Sequence, residues 1–205
     1  LFAGKQGYND SSFSQQEVTA LIIEHAMLGK RVLRLKGGDV AFFSNVLDEL
    51  NALVEKNIPF EIIPGITAAS GASAYAGIPL TAREHSQGVQ ILTYNPTSYY
   101  NTEIWKHLAN SSHTLVFYMA AKNINDLAEL LLRYSKKPAT KLAVIEQATT
   151  IHQQVHITTL IDCAKDLADR SFSSPSLVII GDVVKLHEQF NWFNSAEAGT
   201  VFQNL

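Results

Sequence analysis

The sequence holds a single cysteine, Cys163, in 205 residues. That excludes an intramolecular disulfide and any multi-cysteine metal site, and it fits a reducing, cytoplasmic setting. A charge excess is also missing. Lys and Arg total 16 against 19 Asp and Glu, a formal net charge of -3. No basic surplus is available to neutralise phosphates, so no nucleic-acid partner is expected. No run approaches the roughly 18–20 apolar residues that cross a bilayer, and no membrane partner is expected. No secretory leader is visible. The chain opens on Leu1 rather than Met, and its first residues read as the end of a strand or loop, so a further N-terminal segment is expected. There is no GxGxxG run, which argues against a nucleotide held in the common Rossmann manner. Internal repeats and low-complexity segments are absent.

What is present is an ordinary globular composition, 46% hydrophobic and 17% charged, long enough for one large or two small domains. Strand and helix patterns alternate. Ser14 and Glu17 have the spacing of a capping box, Val18, Leu21, Ile22 and Ala26 recur at helical spacing, and Gly29 is a stop. Residues 32–35 and 58–63 read as strands, with a helix through Val46, Leu47, Leu50 and Leu53 between them. A helix rich in Ala, Ser and Gly follows at 67–76. After the polar stretch 80–88 a second series begins. Strands are expected at 89–93, 114–118, 142–146, 153–158 and 176–180, and helices around 103–108, 124–133 and 160–167. This alternation predicts an α/β fold with largely parallel pairing, divided into domains 1–83 and 84–205.

Two stretches carry candidate chemistry. Arg34-Leu35-Lys36-Gly37-Gly38-Asp39 runs from a strand pattern straight into two glycines and an acid. Ligands in open α/β sheets bind at the carboxyl edge of the strands, and glycine admits close backbone approach. A tight turn in which Asp39 caps the next helix explains the same residues. The second stretch runs from Pro64-Gly65 through Thr67 and Ala68 to Pro79-Leu80-Thr81. Thr67 and Ala68, beside the Pro-Gly break, suit ligand contact at a helix start. Ala72 and Ala76 suit core packing. His152 and His156 lack a third partner and read as solvated histidines rather than a metal pair, so no metal is expected. Trp105 and Trp192 read as packing residues, and Asp162, Asp166 and Asp169 as a solvated face.

Together, in this order, the RLKGGD run and the PGITAASGASAYAGIPLT run closely resemble the uroporphyrinogen-III C-methyltransferases, the methylating part of sirohaem synthases. The resemblance continues through 114–119, 175–181 and 191–193. It implies a tetrapyrrole methylase-like fold of two α/β domains with the cofactor in the cleft between them, in a homodimer. The cofactor implied is S-adenosylmethionine, leaving as S-adenosylhomocysteine, against Gly37, Gly38, Asp39, Phe42, Thr67, Ala68, Met119 and Ala148. Lys5 matches the family's lysine assigned as proton donor. Arg83 and Arg34 are candidates for the carboxylates of a small-molecule tetrapyrrole substrate. The implied reaction is C-methylation of uroporphyrinogen III to precorrin-2, for sirohaem or cobalamin. The family's first strand, its glycine-proline-glycine-aspartate loop and a proposed acceptor aspartate would lie upstream of Leu1. The chain departs from the family at Val40, Phe43-Ser44-Asn45, Ala82, Tyr94-Asn95 and Ala148. Two further readings stay open: a methylase of a later corrin precursor, and a non-catalytic paralogue that binds a tetrapyrrole or the cofactor.

Overall fold

The computed structural model describes residues 13–97, 101–168 and 170–195. The chain packs as two compact units, Leu1–Thr67 and Ala68–Leu205. The small-residue helix packs on the sheet of the second unit.

In the first unit, α1 spans Gln15–Met27 and α2 spans Leu47–Glu55. The capping box at the start of α1 forms as expected: Ser14 Oγ accepts from Glu17 N–H at 3.2 Å, and Glu17 Oε2 accepts from Ser14 N–H at 2.7 Å. Gly29 ends the helix in the left-handed region, φ +74°. Its N–H and that of Lys30 close back onto Ala26 and His25 carbonyls. The unit is held by a buried acid. Glu49, 4% exposed, accepts from Lys36 Nζ at 3.0 Å and from Arg34 Nε and Gln15 Nε2 at 3.2 Å. Burial pushes the Glu49 carboxyl up, but the hydrogen bonds from Lys36, Gln15 and Arg34 and the Lys36 charge together outweigh it and leave the group below its ordinary value.

The strands expected at 32–35 and 58–63 do not form. Neither segment carries ladder pairing, and Leu33, Leu35, Ile62 and Ile63 are exposed. An apolar run marks where a strand is possible, but a strand exists only through its hydrogen-bonded neighbour.

The second unit begins with α3, Ala68–Ala76. It continues as β1 (Val89–Thr93), α4 (Thr102–Asn110), β2 (Thr114–Tyr118), α5 (Ile124–Arg133), β3 (Lys141–Glu146), β4 (Gln154–Thr159), α6 (Cys163–Asp166), β5 (Ser176–Ile180) and α7 (His187–Phe190). Among the described residues these strands form one sheet in the order β1-β2-β5-β3-β4. The expectation of largely parallel pairing is wrong. Only β1 and β2 run parallel, whereas β5 is antiparallel to both β2 and β3, and β3 is antiparallel to β4. The short loop 147–153 cannot make the crossover a parallel β3–β4 pair would need, so β4 folds straight back.

Both faces of the sheet are covered. Leu115, Phe117, Leu142 and Val144 point to one face, under Trp105 of α4 and Leu127 and Leu131 of α5. Val116, Ala143, Ile145 and Ile179 point to the other, under Ala69, Ala72 and Ala76 of α3. The alanines let the helix backbone lie close on the strands. Burial pushes the Cys163 thiol up to about 11, so it sits protonated in the core. Lys136 is also buried, and its Nζ donates to the carbonyls of Ser111 at 2.8 Å and of Leu108 and Ala109 at 3.4 Å, closing the end of α4. Replacing Lys136 with Ala removes its Nζ from these carbonyls, of which that of Leu108 keeps the Ser111 N–H at 3.3 Å. We expect a loss of about 1–3 kcal/mol in unfolding free energy, read from urea denaturation.

Candidate functional site

In the first unit the Gly37-Gly38-Asp39 loop is locked to the Pro64-Gly65 turn. Asp39 Oδ1 accepts from Ala41 N–H at 2.7 Å, and Oδ2 accepts from Gly65 N–H at 3.0 Å. A Cβ on Gly65 would lie 2.7 Å from the Gly38 carbonyl oxygen, so only glycine permits this approach. Gly38 has φ +77°. A Cβ on Gly37 would meet nothing within 4 Å, which leaves its backbone open to a ligand. Phe42 is half-exposed beside it in sequence, and Thr67 follows the turn. The turn-forming reading of Asp39 is therefore correct in part: the carboxylate organises two loops. Each oxygen still has a lone pair for a hydroxyl or ammonium group. Further along, Phe43 and Asn45 adopt left-handed backbone, φ +51° and +49°. Lys36 Nζ donates to the Ser44 carbonyl between them at 2.8 Å.

In the second unit three elements meet at one edge of the sheet. The register pairs Tyr118 of β2 with Leu177 of β5, and Ser176 of β5 with Glu146 of β3. Met119 and the Gln147-Ala148-Thr149 loop therefore leave the sheet at the same edge. The Tyr118 hydroxyl accepts from Ala69 N–H at 2.8 Å, which brings the first turn of α3, with Ala68, to that edge as well. Backbone strain collects here. Met119, Gln147 and Thr149 have φ of +57°, +45° and +71°. Such conformations persist only where the surroundings over-determine them. Glu146 supplies part of that hold. It is buried, accepts from His156 Nε2 at 2.7 Å, and takes the Ser173 N–H on its other oxygen. Burial pushes this carboxyl up, yet the His156 and Ser173 hydrogen bonds and the His156 charge outweigh it and hold it below the ordinary value.

The other expected residues are distributed as follows. Arg34 gives Nε to Glu49 and Nη1 to the Leu35 carbonyl at 3.2 Å, which leaves three of its five donors. Arg83 is exposed and has no polar partner among the described residues. Its turn precedes β1 and is tied through Ser86 to the Thr114 end of β2, the edge opposite Met119 and Ala148. Lys5 lies outside the described residues. His156 is engaged by Glu146, and no metal-ligand cluster occurs among the described residues. Trp105 packs edge-on against Tyr94, and Trp192 against Tyr75 and Phe193.

The tetrapyrrole (corrin/porphyrin) methylase family matches residues 2–164. The chain belongs to the tetrapyrrole methylases. A sirohaem synthase of Yersinia enterocolitica is 42% identical over 97% of the chain, and one of Saccharophagus degradans is 39% identical over 94%. The chain spans 41% and 42% of the lengths of these relatives. Among solved structures, a Thermus thermophilus uroporphyrin-III C-methyltransferase in complex with S-adenosylhomocysteine superposes with TM-score 0.69 at 29% identity. That match covers 84% of this chain and 75% of the other. A cobalt-precorrin-4 methyltransferase has the same fold, with TM-score 0.77 at 19% identity and coverage of 88% and 77%.

Sequence reasoning missed two residues that organise this edge: Tyr118 and Glu146. Tyr118 and Glu146 each close an apolar strand run with a polar atom, the one signal available for them in the sequence. The depressed Glu146 value has a defined pH consequence. A carboxylate stabilised in the fold contributes above its ordinary pKa, about 4.3 for Glu, and the contribution disappears as pH falls through the lower folded value. Glu146→Gln should therefore flatten part of the acid-side fall in Tm, measured calorimetrically below about pH 5. An unchanged acid limb would show that the His156 and Ser173 contacts leave this carboxyl unperturbed.

Proposed function

We propose that the protein transfers methyl groups from S-adenosylmethionine to carbon atoms of uroporphyrinogen III, giving precorrin-2. The observation that carries this reading is the single edge of the second unit at which the α3 start, Met119 and Ala148 converge. The open backbone at Gly37, the Asp39 carboxylate, Phe42 and Thr67 are the first unit's proposed contributions.

The residues present fit the cofactor's chemistry. Gly37 has room for a close neighbour, Asp39 retains acceptor capacity for ribose hydroxyls or the amino group, and Met119 is an exposed apolar side chain held on a fixed backbone. When bound, S-adenosylmethionine supplies an electrophilic methyl group on a sulfonium sulfur. The chain's task is then alignment, since a pyrrole carbon of a porphyrinogen is already electron-rich. Holding two reactants in line is worth about 7–11 kcal/mol of barrier in favourable cases. The three remaining donors of Arg34 are the proposed contacts for substrate carboxylates. Arg83, on the other edge, is left out. Lys5 is the proposed proton donor. A homodimer in the cytoplasm completes the reading; among the described residues no helix is long and apolar enough to cross a membrane.

The test is calorimetric titration of S-adenosylhomocysteine into the complete protein, followed by mass analysis of the product from uroporphyrinogen III. We expect binding, at least about tenfold weaker in Asp39→Ala, and a product heavier by two methyl groups. Absence of binding by the unaltered protein would overturn the reading. Binding without turnover would favour the non-catalytic paralogue.

A further inference from the structure

We infer that Gln153 is a positioning residue that fixes the backbone on which the contact at Ala148 depends. The inference rests on the methyltransferase reading above and names a residue outside the expected cofactor shell.

Ala148 lies between Gln147 and Thr149, both non-glycine and both left-handed, φ +45° and +71°. A loop shaped this way needs an external hold. Gln153 supplies it. Its residue is 3% exposed, and its Oε1 accepts from Thr149 N–H at 2.8 Å. Its Nε2 donates to the Tyr75 carbonyl in α3 at 3.3 Å, and its own N–H donates to the Thr150 carbonyl at 3.0 Å. The amide orientation is fixed by these partners, since a backbone N–H only donates and a carbonyl only accepts. Thr150 Oγ1 donates to the Gln147 carbonyl at 2.8 Å, and Gln147 N–H donates to the Pro175 carbonyl at 2.7 Å.

The side chain thus grips two things at once: the loop that presents Ala148, and the helix whose first turn presents Ala68. The job needs an acceptor and a donor on one planar group at the right reach. Glutamate lacks the donor, asparagine is a methylene shorter, and an aliphatic side chain leaves the Thr149 N–H without this partner. Gln153 itself is placed one residue before β4, so the sheet register sets its position.

The experiment compares unaltered complete protein, Gln153→Met, and Gln153→Met combined with Thr149→Gly. It reads the S-adenosylhomocysteine Kd, the S-adenosylmethionine KM, kcat and Tm. Gln153→Met should raise Kd and KM about tenfold or more while kcat at saturation changes less than about threefold, the split expected when an altered residue shapes cofactor binding rather than chemistry. Glycine accepts the left-handed backbone at position 149 without strain. Adding Thr149→Gly should therefore recover much of the lost affinity, which a residue serving only to fill the core would not allow. Wild-type affinity in a folded Gln153→Met, or no recovery in the double variant, overturns the inference. Should Gln153→Met not fold, amide exchange in the unaltered protein decides: slowed exchange across 147–153 on adding S-adenosylhomocysteine supports it, and unchanged exchange at saturation overturns it. Failure of the unaltered protein to bind S-adenosylhomocysteine sinks the methyltransferase reading instead, so the two failures are told apart.

Discussion

Strand β5 lies between β2 and β3 and runs antiparallel to both, and most of the second unit's organisation follows from that placement. Two strands flanking a common antiparallel neighbour must point the same way, so β2 and β3 end at the same edge. One intervening strand also sets their spacing, about 9–10 Å from two inter-strand steps. The chain entering β5 passes between those strand ends, and Gln147 N–H donates to the Pro175 carbonyl there at 2.7 Å. Helix α3 then lies on the same face on a stripe of alanines, close enough for the Tyr118 hydroxyl to hold its first turn. The left-handed residues at 119, 147 and 149 are the local expression of strands ending abruptly at that edge.

The first unit uses a different device for a similar purpose. It has no ladder among its described residues, and its order depends on polar ties instead. Glu49 gathers Lys36, Arg34 and Gln15, while Asp39 staples the glycine loop to Gly65. The cost of taking the Glu49 carboxylate out of water is offset by its bonds to Lys36, Arg34 and Gln15 together, so removing one of them weakens the hold on a charge that stays buried. Arg34, a candidate substrate contact, therefore has a structural commitment as well.

Much of this was legible in the sequence. The capping box at Ser14 and Glu17 and the helix 124–133 were readable from local pattern, and the strands 89–93, 114–118 and 176–180 because their pattern coincides with paired neighbours in the sheet. The inward faces of Leu127 and Leu131 and of Ala72 and Ala76 followed from periodicity. What was not legible depends on partners. Residues 32–35 and 58–63 have strand-like composition and no ladder, and the direction of β3, β4 and β5 is set by connection length and sheet order rather than by residue type. The ties of Tyr118 to Ala69, of Glu146 to Ser173 and of Gln153 to Tyr75 span residues distant in sequence, which local pattern does not show. The motif resemblance, by contrast, carried family and fold together, and the similarity to sirohaem synthases along nearly the whole chain agrees with it.

In the proposed methyltransferase the edge bearing Met119 meets the cofactor, and the sequence offers a direct probe because it holds two methionines, Met27 and Met119. Both are exposed, Met27 at the end of α1 and Met119 at the end of β2. In protein labelled with methyl-13C methionine, addition of S-adenosylhomocysteine should move the Met119 methyl resonance and leave that of Met27 in place. Saturating binding, established by calorimetry, with no movement of the Met119 methyl would contradict the account.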